Sequence, residues 1–372
     1  MISVAVTTRD KISGDLRDDA LSGESRWERQ CIESLLLCPQ IDKVYTLDNV
    51  CSSESNVFSK FGNKFSSGLP ASEYNNTILI GMDFWTAHFE NRPSFKGAFF
   101  NVFHGLWDVD LPKAKEMISQ YGKRIVFTHQ FPGSDIGTYL EGKVGKDFLE
   151  LLPTPGIPEV VECNNFDKDI LLWDQKFIFQ YMDGKEIESI FRWVKEKLVG
   201  DKNKKFVITT GFRPVDLMWH KYKPTAEEQF WTYDCANILS TVRDRVVVLG
   251  SVSWSEMLRL HSEAKLPVTF PAQYGGAPLE CAMYGLPFIG KNKTSPFIEC
   301  PDYVSMPELM EGTVSAIDGN SFVGALERLY TDRDYYTKIG SSYRSFAKSR
   351  YTYSVFANNF LRIAGERGML DA

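Results

Sequence analysis

Apolar residues along this chain fall into short runs separated by longer stretches with helical spacing. The first half holds ISVAV (2–6), KVYTL (43–47), TILIG (77–81), AFFNVF (98–103) and RIVFT (124–128). Each is too short for a helix and rich in β-branched or aromatic residues, so each predicts a strand. Between the first two, Trp27, Cys31, Leu35 and Leu36 recur at helical spacing in SRWERQCIESLLL, and LPKAKEMISQYG predicts a helix before the fifth. Strands alternating with helices predict βαβ units and a parallel sheet. The polar, Ser/Asn-rich segment 51–76 reads as a surface excursion.

The alternation restarts after PTPGIPEVVE (153–162), whose clustered prolines mark a domain link. KFIFQY (176–181) predicts a strand, GKEIESIFRWVKEKL (184–198) an amphipathic helix and KFVITTG (205–211) a strand. TAEEQFWTYDCANILSTV (225–242) predicts one helix and RVVVLG (245–250) a strand. Ser253 and Glu256 fit a capping box opening a helix to Ala264, and LPVTFP (266–271) is the next strand. Amphipathic helices over 321–330, 334–349 and 352–366 close the chain. The fold class expected is α/β, with two Rossmann-like halves. The boundaries read as 1–165 for the first domain, 166–345 for the second, and 346–372 for a terminal helix.

The length of 372 residues exceeds the usual size of one core, in agreement with two domains. With 43% hydrophobic and 24% charged residues the composition is that of an ordered globular protein. A net charge of −6 gives no general attraction to nucleic acid or anionic lipid. Seven cysteines without a C-x-x-C pair argue against a zinc site or disulfide framework and for a reducing, cytoplasmic setting. The start, MISVAVTTRD, lacks a signal-peptide layout, and no run approaches the about 20 apolar residues that span a bilayer.

The candidate chemistry lies in FPAQYGGAPLECAMYGLPFIG (270–290), a strand end, a Gly-Gly pair, a helix carrying Glu280, and a stop at Gly285 and Pro287. A helix start offers free N–H groups and the positive end of its dipole to an anion. Gly275 and Gly276 let backbone approach a ligand without a Cβ. The plain alternative is a loop followed by a helix whose acid favours the dipole. No G-x-G-x-x-G or G-x-x-x-x-G-K-[ST] occurs, which argues against a dehydrogenase or a P-loop enzyme.

The order of elements resembles the GT-B fold of nucleotide-sugar glycosyltransferases, in particular the large retaining family that includes glycogen-synthase-like and mannosyltransferase-like enzymes. The resemblance runs through FIFQYMDGKEI, FVITTG, VVVLGSVSWSEMLRLHSEAK, LPVTFPA and LECAMYGLPFI, in family order. The last helix, in YTYSVFANNFLRIAGE, is similar to the family's closing helix, which crosses back to the N-domain. It implies two Rossmann-like domains facing across a cleft. A nucleotide-diphosphate sugar would be held mainly by the C-domain, and an acceptor saccharide, glycoconjugate or other hydroxyl by the N-domain.

On that resemblance Glu280 takes the ribose hydroxyls, while Gly275, Gly276, Ala277 and Pro278 offer amides to the diphosphate. Lys185 matches the family's basic residue at the first helix of the C-domain. The Arg expected before it is replaced by Gln180 and Tyr181, leaving Arg213, and more weakly Lys221, to supply the charge. His129, after a strand, matches the His near the reacting centre, with His104 as a second candidate. Ser22-Gly23-Glu24 resembles the glycine-containing turn after strand one. The family's upstream acid, which contacts the donor sugar, is replaced by Ala272, leaving Gln273, Tyr274 or backbone amides for that contact.

The reaction implied is hexosyl or pentosyl transfer with retention, the leaving diphosphate stabilised by these amides, Lys185 and Arg213. Asp108-Val109-Asp110 mimics a D-x-D metal clamp, but two nucleotide-fold halves and helix dipoles can take that role, so neither metal nor other cofactor is expected. The alternatives are an inverting GT-B enzyme using Asp15, Asp18, Asp19 or Glu24 as base, including a phage-type DNA glucosyltransferase, and an inactive GT-B-like binding protein. The negative net charge disfavours nucleic acid as acceptor without removing it.

Overall fold

The structure, a computed structural model, describes residues 1–7, 23–47, 58–82, 99–103, 111–129, 141–159, 161, 164–173, 184–209, 225–249, 252–268, 276–291, 314–316 and 319–370. The chain divides into two compact units, one built on Met1–Glu159 with Lys348–Ala372, the other on Val160–Glu299 with Leu309–Ala347.

In the first unit, β1 (Ser3–Val6), β2 (Lys43–Thr46), β3 (Phe65–Ser66), β4 (Thr77–Met82), β5 (Phe99–Phe103), β6 (Ile125–His129) and β7 (Leu149–Leu151) form one sheet. Its order is β3-β2-β1-β4-β5-β6-β7, and every pair is parallel. All four residues of β1 are buried, as a parallel strand covered on both faces requires. α1 (Gly23–Leu37) lies between β1 and β2, and α2 (Leu111–Tyr121) between β5 and β6. The two crossovers run in opposite directions along the sheet, so right-handed connections set their helices on opposite faces. Packing agrees: Trp27, Cys31 and Leu35 of α1 share a core with Val4, Val6 and Ile80, whereas Phe99 meets Tyr121 of α2 at 4.3 Å between ring centroids.

Within the segment expected as a surface excursion, the described residues 58–76 do more than skirt the surface. Phe58 and Phe65 bury their rings against each other at 4.9 Å, and Phe65–Ser66 adds an edge strand. Their widely spaced aromatics sit among polar residues, so no periodicity announced them.

In the second unit, β8 (Ile170–Trp173) is followed by α3 (Gly184–Gly200), β9 (Lys205–Ile208), α4 (Ala226–Phe230), a 3-10 run over Asp234–Arg245 and β10 (Val246–Val248). Then come α5 (Trp254–Glu263), β11 (Ala264–Pro267) and α6 (Gly276–Met283). A separate parallel pair, β12 (Ile289–Lys291) and β13 (Val314–Ala316), precedes α7 (Gly319–Thr331) and α8 (Arg333–Arg350). The main sheet has the order β10-β9-β8-β11, all parallel. Trp173, Phe191 and Phe206 form its aromatic centre, Phe191 lying 5.7 Å from Trp173 and 5.8 Å from Phe206 in edge-on contacts.

Among the described residues the first strand of this unit is ILLW at 170–173, which its short run did not announce; the strand expected at KFIFQY (176–181) lies outside the described residues. The helix expected over 225–242 is broken: Thr225 and Glu228 close a capping box on the short α4, and a 3-10 run follows Tyr233. β-branched and aromatic residues at 230–233 disfavour a continuous helix there.

The chain finally returns to the first unit as α9 (Tyr353–Glu366), N-capped by Thr352, whose hydroxyl accepts from the Val355 N–H. α9 packs against α1 and places Phe356, Phe360 and Ile363 in the first core, Phe360 4.6 Å from Phe100 between centroids. A 14-residue helix is marginal alone, and burying those side chains contributes about 1.5–3 kcal/mol each. The Pro-rich segment before Glu159 is ordered by the same element. Ile157 donates to Tyr351 O (3.0 Å), and its carbonyl accepts from the Tyr353 N–H (2.9 Å).

Candidate functional site

The order of the second sheet fixes where chemistry can gather. β8 and β11 are neighbours, yet the chain leaves β8 toward β9 and β10 on one side and then crosses to β11 on the other. Strand order therefore reverses between them, and the carboxyl ends at such a point flank a crevice where ligands of open α/β sheets bind. α3 is the next described element after β8, and α6 follows β11. Two helix starts thus serve one edge, each with amides not used inside its helix.

Lys185 is the second residue of α3 and exposed, with its carbonyl accepting the Ser189 hydroxyl at 2.9 Å. A cation in a first turn is mildly unfavourable toward the helix dipole. Gly276, Ala277 and Pro278 form the first turn of α6, where proline costs no helical hydrogen bond. The end of α6 is equally determined. Leu286 N donates to Cys281 O (2.9 Å) and Gly285 N to Ala282 O (3.0 Å), with Gly285 at φ +64, which is a Schellman motif. Gly285 stops the helix as its sequence predicts, and Pro287 follows.

Glu280 lies one turn inside α6 with 0% exposure. Its Oε2 stands 3.5 Å from Nδ1 of His261, equally buried on α5. His261 belongs to the apolar stripe of α5 with Trp254, Met257 and Leu260. α5 starts at Ser253, whose hydroxyl accepts from the Glu256 N–H (3.2 Å); the Glu256 carboxylate is taken by Arg259, which holds it below the usual carboxylate range. At its other end Asn165, 1% exposed, donates to the carbonyls of Ala264 (2.7 Å), His261 (3.2 Å) and Ser262 (3.2 Å). Asn165 thereby locks the turn from α5 into β11. Neither His261 nor Asn165 was a sequence candidate. The signal for His261 was there, a polar residue seven positions after Trp254 on an otherwise apolar helix face.

In the first unit His129 ends β6, opposite Phe103 of β5 and Leu151 of β7, at the carboxyl edge of the sheet. Gly23 is the first residue of α1, which follows β1. β1 and β6 are three strand positions apart, about 14 Å at the usual spacing, so the two do not form one cluster. Arg213, Gly275, Ala272, His104, Lys221 and the Asp108–Asp110 segment lie outside the described residues. Among the described residues no group of His, Cys, Asp or Glu is arranged to hold a metal, and no helix is long and apolar enough to cross a membrane.

The amino edge of the second sheet is built differently. Lys265 is 5% exposed, donates to the Phe166 carbonyl and stands 3.7 Å from the centroid of the Phe166 ring. Burial, reinforced by nearby Lys204, pulls its amine down to about 8. Lys204 is anchored on Asp169 (2.6 Å), and Tyr336 donates to Lys265 O (2.5 Å). Lys265 and Lys204 each have an acidic or backbone partner, the signature of a stabilising cluster.

No protein-family model and no curated protein matches the sequence. Solved structures do match, over nearly the whole chain. Sucrose-phosphate synthase from Thermosynechococcus elongatus superposes with a TM-score of 0.59 at 14% identity, covering 98% of this chain and 99% of that one. A glycosyltransferase from Rickettsia africae gives 0.60 at 11%, covering 98% of each. Anabaena HepE in complex with UDP gives 0.63 at 9%, covering 98% and 100%. The fold is GT-B. In this GT-B chain the described residues expected to meet the nucleotide, Lys185, Gly276, Ala277, Pro278 and Glu280, sit on the two helices that flank one topological switch point.

Proposed function

We propose that the chain is a glycosyltransferase that takes its sugar from a nucleotide diphosphate, with UDP as the nucleotide to test first. One observation carries the reading: adjacent strands β8 and β11 feed the helices that bear Lys185 and Gly276–Glu280, so charge, amides and carboxylate serve a single edge. That HepE is also solved with UDP-glucose supports the choice of nucleotide.

Chemistry at such an edge is mostly electrostatic. Cleavage of the glycosidic bond to the diphosphate leaves negative charge on its β-phosphate. Amides of the first turn of α6 and the Lys185 ammonium stabilise that charge, and Arg213 adds to it. Glu280 accepts hydrogen bonds from the ribose hydroxyls; because it is enclosed here, ligand entry has to uncover one of its oxygens. His129 is the first unit's candidate for a role in the reaction. Retention follows if the leaving phosphate itself takes the acceptor proton, which requires no carboxylate base and accommodates Ala272. The acceptor is a saccharide, glycoconjugate or other hydroxyl.

Incubation with a panel of UDP-sugars, followed by proton NMR of released UDP and of the anomeric product, tests this reading. Turnover in the presence of a chelator is expected, as is an α-product from an α-donor. A β-product would turn the mechanism to inversion. Absence of turnover with intact UDP binding would favour the second reading, a nucleotide-binding protein without transfer activity, for which Ala272 is the motivating feature.

A further inference from the structure

A helix leaves its last carbonyls without partners of its own, and a buried one left open opposes folding. At the C-terminal end of α6 the carbonyls from Cys281 to Tyr284 are all taken. Leu286 N–H meets Cys281 O (2.9 Å) and Gly285 N–H meets Ala282 O (3.0 Å), both within the helix stop itself. The next two are taken by chain from elsewhere: Val161 N–H donates to Met283 O (2.8 Å), and Arg344 Nη2 to Tyr284 O (3.3 Å). A Cβ at Gly285 would overlap the Arg344 guanidinium, which shows how closely that cation lies on the helix end. Its charge also suits the negative end of the dipole.

The two donors stand at particular places in the chain. The second unit begins at Val160 and ends at Ala347, so Val161 is its second residue and Arg344 lies three before its last. In the first unit the continuations of these two segments are bonded to each other, Ile157 N–H to Tyr351 O (3.0 Å) and Tyr353 N–H to Ile157 O (2.9 Å). The other end of α6, Gly276–Pro278, follows β11 at the carboxyl edge of the sheet. Eight residues span only about 12 Å, and Leu279, Cys281 and Ala282 are buried, so these two turns move as one rod. A shift of its first turn is therefore a shift of Met283 O and Tyr284 O at its last.

We propose that α6 couples nucleotide binding to the two segments through which the chain enters and leaves this unit: a diphosphate drawing on its first turn tightens the seats of Met283 on Val161 and of Tyr284 on Arg344. This inference rests on the reading that the start of α6 takes the diphosphate. A clamp that only stabilised the fold would be closed to the same extent with and without ligand.

Hydrogen exchange of the full chain, followed by mass spectrometry with and without UDP at a saturation set by calorimetry, separates the two. UDP should slow exchange at Val161 and Ile157 at least about fivefold, the lower end of ordinary coupling between sites. Coupling is reciprocal, so a variant that opens the clamp loses UDP affinity by a like factor. Arg344→Met removes the donor to Tyr284 O; it should weaken UDP about fivefold, and the slowing at Val161 and Ile157 should shrink to within about twofold. Val161→Pro removes the N–H that meets Met283 O, at an exposed position, and should abolish the slowing at Ile157 and weaken UDP likewise. If Arg344→Met fails to fold, Val161→Pro carries the test alone.

Equal exchange at both amides with and without bound UDP overturns the coupling and leaves the nucleotide site standing. Slowing at Ile157 that survives in Val161→Pro, or UDP affinity unchanged in the folded variants, does so as well. Absence of UDP binding to wild type overturns the reading beneath it.

Discussion

Gly340 sits in the interior of α8, where helix propensity alone favours alanine by roughly 0.5–1 kcal/mol. Its surroundings reverse that sign. A Cβ at Gly340 would overlap the carbonyl oxygen of Gly285 and stand 3.1 Å from its carbonyl carbon. Those atoms are backbone and cannot swing aside. Gly285 is itself pinned at φ +64 by the Schellman bonds that end α6. Relief requires moving α8 or the α6 stop. Overpacking of this kind costs about 1–3 kcal/mol, and the forfeited propensity gain does not offset it. Gly324, in α7 of the same unit, has nothing within 4 Å of its would-be Cβ, so Gly324→Ala should stabilise by about 0.5–1 kcal/mol. Urea unfolding followed by tryptophan fluorescence should then separate the two variants by about 1.5–4 kcal/mol, in opposite directions. Because Gly340→Ala strains the helix that carries Glu280, it should also weaken UDP binding, while Gly324→Ala leaves it unchanged. A Gly340→Ala protein as stable as Gly324→Ala would refute the close approach of α8 to Gly285.

Lys185→Met should weaken UDP about tenfold and leave uridine within about twofold, since only the diphosphate meets the lysine; competition binding measures both. Lys265 titrates at about 8 in the fold against an ordinary 10.5, so between those values the unfolded chain binds the extra proton and stability from this group rises with pH. Wild type should accordingly gain on Lys265→Met between about pH 7 and about pH 10 in urea melts, and a constant or shrinking difference would contradict the burial argument. Thr225→Ala removes the side chain that accepts from the Glu228 N–H at 3.2 Å and should cost about 1 kcal/mol by the same assay.

Much of the architecture could be read from spacing. Short apolar runs marked the strands of the first sheet because parallel strands buried on both faces carry no polar alternation, as in β1. Gly285 and Pro287 marked the end of α6 through backbone chemistry that few other residues satisfy. The failures have physical reasons. ILLW went unread because so short a run is no more β-prone than its neighbours, and only pairing with β9 and β11 singles it out. The 225–242 segment carries helix-like apolar spacing, yet Trp231, Thr232 and Tyr233 interrupt it locally. Of the candidate site, Lys185 and Glu280 were visible as residues at helix starts. The contact of Asn165 with His261 was not, because the two are 96 positions apart and meet only through the fold.

The central claim is that one edge of the second sheet, between β8 and β11, holds a nucleoside diphosphate. Calorimetric titration of the full chain with UDP tests it most directly, with Glu280→Ala beside wild type. Saturable one-to-one binding that weakens at least about tenfold in Glu280→Ala is the predicted result. Equal affinity in both proteins, or no binding of UDP or any other nucleoside diphosphate to wild type, would contradict it.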